Sequence, residues 1–262
     1  MSLILAELTK LSRQRGAAFW GFLAIPLLMT VITCALAGVG NPGGGVAEIR
    51  GVRSLLRSLS VGGNPIGQLF YAVGAAAIFA VEYRHAGWRH LVPRRSRGAL
   101  MAAKFAAWTI LCAVSLTLIA AGDLFANLIL PWLRGSSPVI ADWSAAAPGA
   151  ILLMALLALA ELAILGGTVA LVTVVTRSAM PAILVPFLAA LASAAAQTQF
   201  SGTAIPLPAF AADTLRAIVA APFETRAPQA DALIETGILI GWLAATVGLS
   251  FALFERQDLT SE

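Results

Sequence analysis

Three groups of residues in this chain are of types and spacings that could do chemistry. The first is the run Glu82-Tyr83-Arg84-His85-Ala86-Gly87-Trp88-Arg89-His90-Leu91-Val92-Pro93-Arg94-Arg95-Ser96-Arg97, followed by Lys104. Six of the chain's seventeen Lys and Arg residues fall within positions 83–104. Trp88, Leu91 and Val92 form a small apolar ridge among those charges. Apolar anchors carry binding energy while charges steer the encounter, so the run suits docking to a protein partner. It equally suits an interfacial helix with its ridge among lipid headgroups. The second group is Glu161, twelfth in the apolar run 150–176. At mid-bilayer an acidic residue costs about 3 kcal/mol, so Glu161 must face protein or water. The third is Asp123 with Asn127, four apart and so on one helix face, with Arg134 further along that side. Two readings stand for these polar groups. In one they are structural, with Glu161 protonated and hydrogen-bonded between helices and Asp123 paired with Arg134. In the other Glu161, Asp123 and Asn127 line a substrate path.

No catalytic constellation accompanies them. Lys10 and Lys104 are the chain's two lysines, and neither stands in a Gly-x-x-x-x-Gly-Lys-Ser/Thr phosphate loop. There is no His-Glu-x-x-His and no Cys-x-x-Cys. His85 and His90 are five apart, which is not a metal-ligand spacing, and Cys34 and Cys112 lie in apolar runs as small hydrophobes. The chain is therefore predicted to be no enzyme, with no metal site and no cofactor of its own.

The elements that must position these groups follow from composition. Of 262 residues 59% are hydrophobic and only 11% charged, against about a quarter charged in soluble domains. That excludes a water-soluble globule and a disordered chain. Six runs, 17–39, 65–81, 105–130, 150–176, 179–198 and 231–254, approach or exceed the length needed to cross about 30 Å of hydrocarbon. They lack two-residue alternation, so the spans are helices rather than barrel strands. The fold class is all-α: a single polytopic membrane domain, 1–262, with six transmembrane helices. With the N-terminus inside, eleven Lys and Arg residues lie in inner segments and six in outer ones, which places both termini in the cytoplasm. The net charge of +4 reports this topology rather than nucleic-acid binding. Trp20 and Trp108 then fall at the inner interface, and Trp132 and Trp143 at the outer. Ala35-Leu36-Ala37-Gly38 resembles a signal-peptidase site, but a long flank containing Glu7 precedes the apolar run, so an uncleaved first span is expected.

Between the spans lie amphipathic pieces. Residues 1–15 read as an interfacial helix with Ile4, Leu8 and Leu11 on one face and Glu7, Lys10 and Gln14 on another, or as a basic flank that only sets topology. Ile49, Val52, Leu55, Leu56 and Leu59 with Arg50, Arg53 and Arg57 predict a short helix on the outer surface. Its arginines are the strongest local departure from the orientation bias. The proline-rich segment 199–230 predicts outer re-entrant or interfacial helices around 210–220. Gly63 with Gly67, and Gly237 with Gly241, are small-residue pairs that permit close helix packing.

The arrangement resembles the membrane permease subunit of type-2 ATP-binding-cassette (ABC) exporters, the ABC-2 family, over nearly the whole chain. The resemblance rests on the helix Glu7-Leu8-Thr9-Lys10-Leu11, on Glu82 ending the second span, and on Gly87-Trp88-Arg89-His90-Leu91. Pro93, Ser96-Arg97 and Lys104 at the third span complete it. The chain departs from the pattern in lacking a Thr after Gly87 and in one extra basic residue before Ser96. The Trp-basic-x-Leu form looks most like permeases of bacteriocin and lantibiotic self-protection systems. The resemblance implies an ATP-driven exporter in a bacterial inner membrane. Two copies of an ABC ATPase subunit would bind the ATP and Mg, and a second permease copy or a sister permease would complete the unit. It implies that Glu82, Arg84, Gly87, Trp88, Arg89, Leu91, Pro93, Arg94, Arg95 and Arg97 form an ATPase-coupling segment, with Glu7, Lys10 and Leu11 on the interfacial helix. A mostly apolar bundle fits an amphipathic or hydrophobic cargo: a peptide, a lipid-linked molecule or a drug. Two other readings remain open from the residues: a proton-coupled secondary transporter using Glu161, and a membrane scaffold or sensor subunit.

Overall fold

A computed structural model of the chain describes residues 3–39, 48–49, 51–84, 96–129, 139–140, 143–200, 205–223 and 231–257. The described residues form an all-α architecture. In chain order the helices are α1 (Leu3–Arg13), α2 (Arg15–Ala18), α3 (Ala24–Val39), α4 (Gly51–Leu59), α5 (Pro65–Phe79) and α6 (Val81–Arg84). There follow α7 (Arg97–Leu124), α8 (Ala147–Thr176), α9 (Ala179–Gln199), α10 (Pro208–Ala220) and α11 (Ala232–Arg256). A π turn, Phe19–Leu23, joins α2 to α3. A two-residue parallel pairing sets Glu48 and Ile49 beside Val139 and Ile140.

Five stretches, Arg15–Ala35, Arg97–Asn127, Ala147–Thr176, Ala179–Gln199 and Ala232–Arg256, are long and apolar enough to cross a membrane, and Pro65–Phe79 is a shorter apolar helix. The chain is a multi-pass membrane protein. At 1.5 Å per residue α5 reaches only about 22 Å. It is preceded by α4 and the 3₁₀ turn Ser60–Gly63. Helix α4 is the short amphipathic helix its pattern predicts. It packs on α7 and α8 with Val52, Leu55, Leu56, Ser58 and Leu59 buried. Amphipathicity identifies the face to be covered, and here neighbouring helices rather than headgroups cover it.

Local chemistry sets the helix boundaries. Asn64 caps α5 by accepting from Ile66 N–H at 2.9 Å, with Pro65 in the first turn where its missing donor costs nothing. Asp231 caps α11 by accepting from Leu233 N–H at 2.9 Å. Helix α8 ends where Arg177 turns left-handed, φ 55°, so that α9 can start two residues later.

Helix α8 is the hub, touching α4, α5, α7, α9, α10 and α11. Its Gly166 admits the Trp108 indole, whose Nε1 donates to the Leu162 carbonyl at 3.0 Å. Trp108 is fully buried between Phe22 and Tyr71, and this corrects its expected place in an interfacial belt. The polar end of the ring found a carbonyl inside the bundle, so it needed no headgroup water. Pro26 explains the neighbouring Ser115. Proline has no N–H for the carbonyl four residues back, and that carbonyl, Phe22 C=O, accepts instead from Ser115 Oγ at 2.8 Å. Tyr71 Oη lies 2.8 Å from the same hydroxyl. Ser115 has spent its proton on Phe22, so Tyr71 is the donor. Gly237 and Gly241, by contrast, would give an added Cβ nothing within 4 Å, so that pair packs against no described part of the chain.

Candidate functional site

Among the described residues, the strongest concentration of charge gathers at the end of the bundle where α1, α6 and the start of α7 meet. Lys104 Nζ donates to Glu82 Oε2 at 2.6 Å, to Glu7 Oε2 at 3.2 Å and to the Ile78 carbonyl at 2.5 Å. Lys10 Nζ donates to Glu7 Oε1 at 2.6 Å and to Glu82 Oε1 at 2.9 Å. Two lysines and two glutamates therefore alternate in a closed, neutral ring, in which each carboxylate gives one oxygen to each ammonium. Ile78 lies in the last turn of α5, whose carbonyls lack helical partners and carry the negative end of the helix dipole. The three donors of Lys104 are thus matched, which is what allows an ammonium only 1% exposed to stay in place. Lys10 sits at the rim. Burial alone would lower its pKa, but the Glu7 and Glu82 carboxylates outweigh burial and hold it above the ordinary lysine value.

The ring corrects the expected posture of α1. The sequence pattern sets Glu7 on the polar face of an interfacial helix, apart from Leu11, yet both are buried because the charge partners of Glu7 lie in the bundle. A second tie closes the other side of the same end. Arg97 Nη1 donates to the carbonyls of Glu255 at 2.8 Å and Gln257 at 2.6 Å. Gln257 Oε1 accepts from Tyr83 Oη at 2.7 Å, and its Nε2 donates to the Val174 carbonyl at 3.2 Å. Burial raises the Tyr83 pKa above the usual tyrosine value, so the phenol keeps the proton it donates. Both ends of the basic segment are therefore fixed to the bundle. Gly87, Trp88, Arg89, Leu91, Pro93, Arg94 and Arg95 lie outside the described residues, and Arg84 closes α6.

Deeper in the bundle Glu161 has a partner that the sequence did not reveal. Arg216 of α10 extends its guanidinium to Glu161 Oε1, forming a buried ion pair, and its Nη1 lies 3.4 Å from Asp213. Two glycines make room for it. A Cβ on Gly62 would come within 2.7 Å of Glu161 Oε2, and one on Gly63 within 2.7 Å of the Arg216 guanidinium carbon. Gly63 thus clears space for a side chain, not for a second helix. Glu161 also lines a cavity of ≈ 190 Å³ with Gln68, Thr168, Ser193 and Trp242. Arg216 lines a second cavity, of ≈ 270 Å³, with Arg53 and Arg57. The sequence held a partial signal: Arg216 is the one cation of residues 208–220, an apolar stretch that had to pack on the bundle, though nothing in it named Glu161 as the partner.

Asp123 and Asn127 do share a face, and their partners come from α4. Ser54 and Ser58 each donate to Asp123 Oδ1 at 2.7 Å, and Asn127 Nδ2 donates to Ser54 Oγ at 3.0 Å and to the Asp123 carbonyl at 2.9 Å. Arg134, the partner proposed from sequence, lies outside the described residues. The structure therefore separates the sequence-predicted polar residues into two networks, Asp123–Asn127 with α4 and Glu161 with α10. Among the described residues no group of three or more His, Cys, Asp or Glu gathers as a metal site would require.

No curated protein matches the sequence. The family model described as ABC-2 family transporter protein matches residues 3–193, from the start of α1 into α9 and well over half of the chain. With its membrane-spanning helices and that match, the chain belongs to the ABC-2 transporter family, as a permease subunit that partners an ABC ATPase component.

Proposed function

We propose that this chain is the membrane half of an ATP-driven exporter, with the segment 83–104 as the docking element for the ATPase. The observation that carries this reading is the Glu7–Lys10–Glu82–Lys104 ring. It joins α1, α6 and α7, so that a force applied to the segment between Glu82 and Lys104 moves the end of α5 and the start of α7 together. Trp88 and Leu91 serve as anchors, and Arg84, Arg89, Arg94 and Arg95 steer the encounter, with Gly87 and Pro93 shaping the turn. Arg97 is spent on the C-terminal end of α11 and transmits motion there.

Two ATPase copies bind ATP and Mg, and two permeases, identical or sister, form the transmembrane unit in a bacterial inner membrane with both termini cytoplasmic. The cargo is amphipathic or hydrophobic, in keeping with a bundle whose polar groups are few and mutually engaged. Glu161 and Arg216 stand between two cavities, where exchange of their pairing opens a polar route; Asp123 and Asn127 hold the α4 wall of that route. The Trp88-Arg89-His90-Leu91 form supports a place among bacteriocin and lantibiotic self-protection permeases.

Affinity purification of the chain from its native cell in mild detergent, with mass spectrometry of what accompanies it, tests the reading. An ABC ATPase at near-equal stoichiometry is expected. Trp88→Ala with Leu91→Ala should then lose the ATPase, or its stimulation, while the permease still inserts. Reproducible absence of any ATPase from the intact chain would turn the assignment toward a proton-coupled or scaffold role.

A further inference from the structure

The ties at the close of α11 have a counterpart further along the same helix. At the close, Arg97 Nη1 donates to the carbonyls of Glu255 and Gln257, and Gln257 Oε1 accepts from Tyr83 Oη. Tyr83 and Arg97 bracket the basic segment, so both of its ends are bonded to this point. About 21 Å along the axis from Arg256, Trp242 Nε1 donates to the Pro206 carbonyl at 3.0 Å. Pro206 stands one residue before Leu207, the N-cap of α10, whose carbonyl accepts from the Phe210 and Ala211 amides. Trp242 is therefore bonded to the chain that starts α10, and Arg216 of α10 holds Glu161.

The build of α11 suits it to carry displacement between these points. It runs from Ala232 to Arg256 with no proline inside, whereas α9 contains Pro186 and α3 contains Pro26. Sharp kinks arise where proline interrupts the hydrogen-bond ladder, so α11 has no such weak point along its axis. It packs on α10 as well as on α8, and Gln257 Nε2 sets its resting position by donating to the Val174 carbonyl of α8 at 3.2 Å.

We propose that α11 carries displacement of the docking segment to the Glu161–Arg216 pair, with Arg97 and Gln257 as its input and Trp242 as its output. A shift of the segment moves the close of α11, Trp242 passes the shift to Pro206 and α10, and Arg216 is drawn off Glu161 or returned to it. The ion pair, made or broken, is the two-state element that the docking segment biases. Gln257 and Trp242 are thus positioning residues. That role rests on residues 83–104 being the ATPase-docking element, as proposed above, whereas the mechanical connection is measured in the permease alone.

The test is hydrogen exchange, read by mass spectrometry over residues 210–220 of the full-length permease in neutral detergent, alone and with the ATPase that co-purifies. In the permease alone, Arg97→Gln frees the close of α11 and should speed exchange in α10 about threefold or more, the range of coupling between remote sites. Trp242→Phe keeps a ring and removes the N–H. In that background Arg97→Gln should change α10 exchange no further, and this non-additivity measures the coupling. Thr117→Val, which removes an exposed hydroxyl of α7 away from this path, should leave α10 unchanged. If Arg97→Gln does not fold, Gln257→Ala takes its place in the cycle. In the complex, a non-hydrolysable ATP analogue with Mg should alter exchange in α10. Trp242→Phe should reduce that response about threefold or more while the response of residues 97–104 persists. A purely structural role for Trp242 would lower both responses together. Absence of a co-purifying ATPase would fail the export reading and leave the cycle in the permease alone to decide the connection. Additive effects of the two variants there, or an α10 response to nucleotide that Trp242→Phe leaves intact, would overturn the proposal.

Discussion

Lys104 shows what a single buried charge demands. Its ammonium is tolerated because Glu7, Glu82 and the Ile78 carbonyl surround it, so Lys104→Met would leave two carboxylates facing each other in the bundle. We expect that change to cost about 3–5 kcal/mol, seen as a lowered thermal midpoint in detergent, and Glu82→Gln in the same chain to recover part of it. Lys10→Met, at the half-exposed rim, should cost no more than about 1 kcal/mol. Its contribution also has a defined pH window. The folded pKa of Lys10 is raised, so its stabilisation is complete below 10.5 and is lost as pH climbs through the higher folded value. The midpoint difference between wild type and Lys10→Met should be flat around neutrality and shrink only above pH 10.5. The Glu161–Arg216 pair should respond asymmetrically. Arg216→Met strands a buried carboxylate and should cost about 3–5 kcal/mol. Glu161→Gln keeps a hydrogen-bond acceptor and should cost less, so a chemical-denaturation series that ranked them in the opposite order would contradict the pairing.

Helices meet in this protein where glycines allow it, and glycines that look alike in sequence differ in consequence. Gly62 faces Glu161 and Gly166 faces Trp108, whereas Gly237 faces nothing within 4 Å. Gly62→Ala should therefore destabilise and displace the ion pair, while Gly237→Ala should be neutral or gain up to about 1 kcal/mol from helix propensity. Parallel thermal melts of the two variants would decide it. The same lesson applies to α4. Its apolar stripe was legible, but a stripe states only that a face must be covered. Ser54 and Ser58 read as ordinary polar positions until Asp123 is seen opposite them.

Across the bundle, the ties through Lys104, Arg97 and Gln257 bring α1, the start of α7 and the end of α11 to one end. The loop before α8, with exposed Trp143 and Ser144, belongs to the other, because α8 enters the bundle there and reaches Val174 at the first. If both termini are cytoplasmic, as proposed, Ser12→Cys should resist a membrane-impermeant thiol reagent in intact cells and react in inverted vesicles. Ser144→Cys should do the reverse. Native Cys112 is buried and Cys34 only partly exposed, so background labelling should be low. Labelling of Ser12→Cys from outside would invert the orientation.

Length, apolar composition and the placement of charge were enough to read an all-α membrane protein, and the motifs of residues 7–11 and 82–104 carried a family resemblance that the family match bears out. Those properties are local: a run is long enough to cross hydrocarbon, or it is not, whatever surrounds it. The partners of the buried charges were not legible, because Glu7 meets Lys104 across ninety-seven positions and Glu161 meets Arg216 across fifty-five. In a medium without water each buried charge requires a partner, but the requirement does not name one. Only the packing of α8 against its neighbours chose Arg216 for Glu161, removed Trp108 from the interface, and drew the α4 arginines around a common cavity.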